Sequence, residues 1–147
     1  MTIDKGRHLQ DIQLAIYRHP DYQGEAASGY KAKYDIYSFG LVAVEIALWT
    51  PLLNFLDAKG GSSTGSVQLS SKMKTFHRKE ALELKKRILD RVDGELDFRV
   101  GSKFRDAIRW CLTMSQNEDE EEWHPAFGFH KHVVAPLENC TALCVDL

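Results

Sequence analysis

From Ile36 to Trp49, eleven of fourteen residues are apolar, and the exceptions are Ser38, Gly40 and Glu45. The stretch carries an internal acid, is followed by Pro51 and falls short of the roughly 20 apolar residues that a membrane helix needs. It is therefore predicted as a water-soluble helix over residues 35–50, with Asp35 as its N-cap and Pro51 close to its end. A helix that is apolar all round has to be covered on every side. The expected fold is accordingly mainly α, built around this buried central helix. Where the chain's own elements leave a flank bare, an apolar patch and a need for a partner are expected.

The other bounds are ordinary. The chain has 147 residues, enough for one domain with a real core and too few for two. A formal charge of −2, from 19 basic and 21 acidic residues, gives no electrostatic reason to expect nucleic acid or an anionic membrane as partner. Three cysteines, Cys111, Cys140 and Cys144, are sparse and odd in number, which fits a reducing, cytoplasmic setting. The first residues lack the apolar core of a signal peptide.

Residues 11–17 place Ile12, Leu14 and Ile16 two apart, the period of a half-buried strand, yet no partner strand is evident, so the segment reads as extended chain or as a strand missing its neighbour. Residues 57–75, rich in Gly and Ser between Asp57 and Ser71, read as a flexible loop between helices. C-terminal helices are expected over 76–145. The first carries Ala81, Leu84, Ile88 and Val92 on one stripe with Lys79, Lys86 and Arg87 opposite, and the next repeats Phe104, Ala107, Ile108, Cys111 and Leu112. In a last helix, about residues 127–144, Pro136 marks a kink or the true start. Glu118–Glu122 is a run of acids suited to a solvated loop.

Two segments carry a resemblance. Tyr17-Arg18-His19-Pro20-Asp21 is followed, fourteen residues after Asp21, by Asp35-Ile36-Tyr37-Ser38-Phe39-Gly40, which opens the apolar run. Together they resemble the protein kinase superfamily at the end of the activation segment (residues 1–34) and the start of the large helix of the C-terminal lobe. His19-Pro20-Asp21 stands where the family has A-P-E, and residues 35–40 look like its D-x-W/Y-S-x-G. Phe104–Leu112 is similar to the family's penultimate helix, and Trp123-His124-Pro125 stands where an Arg-Pro is usual. The local wording looks especially like kinase-like domains associated with HeLo-type proteins of fungal signalling and cell death.

The resemblance implies a partial kinase-like C-terminal lobe across residues 1–147, with Pro20, Asp21, Asp35, Ser38, Gly40 and His124 as its structural motif. It implies an ion pair between Asp21 and His124, close helix packing at Gly40, and a remnant of the acceptor-peptide surface at Tyr17, His19 and Tyr22. In complete relatives the activity is ATP-dependent protein phosphorylation with ATP and Mg as cofactors. This chain has no glycine-rich phosphate loop and no H-R-D or D-F-G. His77-Arg78-Lys79 and Asp97-Phe98-Arg99 imitate the last two, but they lack the defining Asp and Gly and follow the central helix instead of preceding it. They read as a helix start and as a loop residue packing into the core. No catalytic residue and no cofactor are therefore assigned to the chain. The expected partner is a protein or a missing kinase portion, and the alternative is a pseudokinase-like interaction module.

Two further patterns are weaker. His124, His130, His132, Cys140 and Cys144 crowd the C-terminus, but their spacing is not that of a zinc site. Cys144-Val145-Asp146-Leu147 imitates a prenylation box, with Asp146 where an aliphatic residue belongs.

Overall fold

A computed structural model of the chain describes residues 11–23, 32–57, 67–114 and 128–139. The fold is mainly helical, and there is no strand among the described residues. A single turn, α1 (Ile12–Ala15), precedes a 3₁₀ turn at Pro20–Tyr22, the long α2 (Ala32–Leu48), the short α3 (Leu53–Asp57) and α4 (Arg78–Arg91). The helical path then runs through a π turn, Val92–Leu96, into α5 (Asp97–Val100). Next comes α6 (Ser102–Thr113), and a last helical segment, 128–139, contains a π turn at His130–Val134.

Helix α2 organises the rest through three faces. Tyr37, Leu41, Val44 and Leu48, spaced by four, three and four, are buried in the main core with Phe55, Phe76, Leu84, Ile88, Leu96 and Ile108. Its second face meets α6 at Gly40, where a Cβ would lie 2.9 Å from the Cβ of Cys111. Only a residue without a side chain allows so close an approach. The third face is largely uncovered: Phe39, Val42 and Ile46 are exposed, although the Phe39 ring meets Phe129 edge-on with centroids 5.4 Å apart. The expectation that an all-apolar helix is enclosed on every side therefore fails along one stripe. The expected uncovered flank is present.

The helix also begins earlier than Asp35, which lies inside the first turn and is not the N-cap. Residues 11–17 are not extended. The Asp11 carboxylate accepts the Gln13 N–H at 3.0 Å and caps one helical turn. Ile12, Ala15 and Ile16 are buried while Leu14 is 61% exposed, so the spacing that matters is three and four, not two.

On α4, Ala81, Leu84 and Ile88 are buried, and Val92 of the following π turn continues the stripe. Arg87 is not simply solvated: its Nη1 donates to the carbonyls of Phe55 and Leu56 at 3.2 and 3.4 Å, satisfying the end of α3. Leu69 and Met73 pack on the main core, and the Ser71 N–H donates to Asp57 Oδ1 at 2.9 Å, so residues 67–75 run along the body. Gly101, at φ 87°, ends α5 in a conformation that favours glycine. Phe98 is helical and 93% exposed, not a loop residue packed in the core.

The last helical segment docks by Val133 against Ala107 and Cys111 of α6, with Ile36, Trp110, Phe129 and Leu137 around them. Pro136 leaves the path helical. The Ala135 N–H reaches back five residues to the His130 carbonyl, and this widened turn accommodates a ring that has no N–H to give.

Candidate functional site

Tyr17–Gln23 forms a tight hook laid on the first turns of α2. Ser38 Oγ lies 2.6 Å from the Tyr17 carbonyl and 3.1 Å from that of Tyr34, so one hydroxyl joins hook to helix. Pro20 is buried and starts the 3₁₀ turn with its φ already suited to it. The Asp21 N–H donates to His19 Nδ1 at 2.9 Å, which leaves the proton on Nε2. The His19 side chain is only 4% exposed, with Tyr34 and Tyr37 ring centroids 4.8 and 5.0 Å away. Burial holds its pKa down at about 4, and the nearby Asp21 only partly offsets this. His19 is thus a neutral structural wedge. It faces inward, whereas an acceptor-peptide surface would need it outward.

Asp21 is held by Arg78 of α4, whose Nε is 3.1 Å from Oδ1. Burial works against its charge, but the Arg78 hydrogen bond wins and its pKa is lowered. The partner implied by resemblance, His124, lies outside the described residues, as does the rest of 115–127. Of the remaining expected residues, Tyr22 stacks on Tyr34 with centroids 5.2 Å apart. Tyr17 turns its hydroxyl to Glu45 Oε2 at 2.9 Å, and burial followed by that contact pushes its pKa up to about 12. The hook therefore gathers Tyr17, His19, Pro20, Asp21, Tyr22 and Ser38 in one place. Gly40 lies apart on the α6 side, and Asp35 is exposed in the opening turn of α2.

The second feature is the bare stripe of α2, which continues into Trp49. The Trp49 N–H donates to the Ile46 carbonyl and the Thr50 N–H to that of Glu45, at 3.3 and 3.2 Å. These two bonds form a Schellman motif, whose turning residue is usually glycine. Here it is tryptophan, at φ 52°, and its side chain is 85% exposed. Two depressions flank the stripe. One, about 130 Å³, is walled by apolar residues of α2, α6 and the last helical segment, among them Phe39, Ala107, Val133 and Leu137. The other, about 360 Å³, is bounded by Val42, Glu45, Ile46, Trp49, Thr50 and Pro51. Among the described residues that line the two, Glu45 is the only ionisable one. Its Oε2 accepts from Tyr17 and, at 2.9 Å, from the Leu52 N–H, while Oε1 accepts no hydrogen bond and no cation pairs with it among the described residues.

Motif reading passes over Glu45, Trp49 and Arg78. Glu45 had a visible signal, being the one charge inside the apolar run, whereas the partners of Trp49 and Arg78 depend on tertiary contacts. Cys111 is buried, and burial pushes its thiol up to about 12, which makes it a packing residue. Among the described residues no group of three His, Cys, Asp or Glu gathers to hold a metal, and no helix is long and apolar enough to cross a membrane. His130 and His132 are described, with His132 stacked on Trp110, while Cys140 and Cys144 lie outside the described residues. No protein-family model, curated protein or solved structure was found to match this chain.

Proposed function

We propose that this chain is a protein-kinase-like helical lobe that acts through protein contact and transfers no phosphoryl group by itself. The observation that carries the reading is the seating of the Tyr17–Asp21 hook on the opening turns of α2, through Ser38 and the ring of His19. The resemblance makes those two segments neighbours, although they are separated in sequence. The close approach of α2 and α6 at Gly40 supports the same arrangement. What the surface offers is an apolar stripe, an indole and one carboxylate, which are groups of recognition. The wording of the two segments suggests fungal signalling or cell death as the setting.

The test is a thermal-shift titration with Mg-ATP, joined to an assay for transfer of labelled phosphate to the chain itself and to casein. A ligand at a hundredfold excess over its Kd adds about 2.7 kcal/mol to stability, several degrees for a chain of this size. No shift and no labelling are expected. A shift of several degrees, or labelling above background, defeats the non-catalytic reading. Hydrogen exchange addresses the kinase-like arrangement: rapid exchange at the Asp21 amide would mean that the hook does not hold.

A further inference from the structure

We infer that the bare stripe of α2 is a docking site for an amphipathic helix of another protein, one that sets a basic side chain between Glu45 and Trp49. The inference rests on the reading of the chain as a contact module and is independent of its likeness to kinases. Phe39, Val42 and Ile46, spaced by three and four, form a ridge along the helix, and Trp49, just past the helix end, borders the same depression as Val42 and Ile46. An apolar groove runs along one side of that ridge. Such a surface is read by anchors at i, i+3 or i+4, and i+7 of a partner helix.

Charge selects the partner. Glu45 is half-buried, its Oε1 accepts no hydrogen bond from the described residues, and its carboxylate borders the larger depression together with Trp49. A guanidinium entering there pairs with the carboxylate and has an exposed indole face to stack on. An acidic side chain meets repulsion at the same place.

A second copy of this chain fits less well, because a twofold pairing of ridges brings Glu45 towards its own copy, acid against acid.

The experiment uses the full chain and two labelled synthetic helical peptides with the same leucine stripe. They differ only in carrying Arg or Glu one turn beyond the stripe, and binding is read by fluorescence anisotropy. The Arg peptide is expected to bind about tenfold more tightly at low salt, with the preference shrinking as salt rises. Glu45→Gln, whose amide oxygen still accepts from Tyr17 and Leu52, should erase the preference. Ile46→Asp should abolish binding of both peptides. Trp49→Gly should weaken the Arg peptide several-fold without lowering the melting temperature, which separates recognition from folding. Equal binding of the two peptides, or a preference that survives Glu45→Gln, overturns the inference. So does a dimer in sedimentation equilibrium that Ile46→Asp dissociates. None of these outcomes depends on the response to Mg-ATP.

Discussion

His19 shows how a single ring couples the hook to pH. An unfolded imidazole titrates near 6.5, and in the fold the value is about 4, because burial disfavours the charged form. The folded state therefore resists taking up this proton. Its stabilising contribution is full above pH 6.5 and is lost as pH falls towards 4. The lowered pKa of Asp21 adds a loss of the same sign at lower pH. Urea melts across this range should show stability falling with acid, and His19→Asn, which keeps an acceptor for the Asp21 N–H but does not titrate, should flatten the fall. Ser38→Ala should cost about 1–3 kcal/mol, since it strips the Tyr17 carbonyl of its 2.6 Å partner. A loss below half a kcal/mol in the same melts would mean that water replaces the hydroxyl freely. The sequence marked Ser38 as a motif position, but the inward pose of His19 was not legible, because a histidine's burial depends on the aromatic rings that tertiary packing brings to it.

At the scale of elements, α2 was legible because eleven apolar residues in fourteen admit few other structures. The turn at α1 was not. Residues 12–16 satisfy a strand template through Ile12, Leu14 and Ile16 and a helical one through Ile12, Ala15 and Ile16, and only the surroundings decide which set is buried. The short α3 left no period to read, since five residues make little more than one turn. Its last carbonyls are completed by Arg87, which lies 31 residues from Leu56. The crossing of α2 and α6 gives the sharpest test at this scale. Gly40→Ala should destabilise by about 1–3 kcal/mol through overpacking. Cys111→Ala should not rescue it, because the blocked space is at the Cβ of Cys111, not its sulfur. Rescue by that second substitution, measured by thermal melts of the double variant, would show that the two helices meet differently.

Across the whole molecule, the core lies on one side of α2 and the bare ridge on another, with the main cluster running from Ile12 to Leu112 and a smaller one holding the last helical segment to α6. The need for cover was predictable from composition alone. Which flank stays uncovered was not, because that depends on where α4, α6 and residues 128–139 settle. The ridge ends in Trp49, and the backbone there makes its own prediction. A bulky residue at φ 52° is strained by about 1 kcal/mol relative to glycine. Trp49→Gly should therefore leave the chain as stable or stabilise it by up to ~1 kcal/mol, read from urea midpoints; a clear loss of stability would show that the indole is packed and not free. Should the variant prove sturdier, then folding and purpose pull this one position in opposite directions. A stability screen blind to partners would discard the tryptophan first.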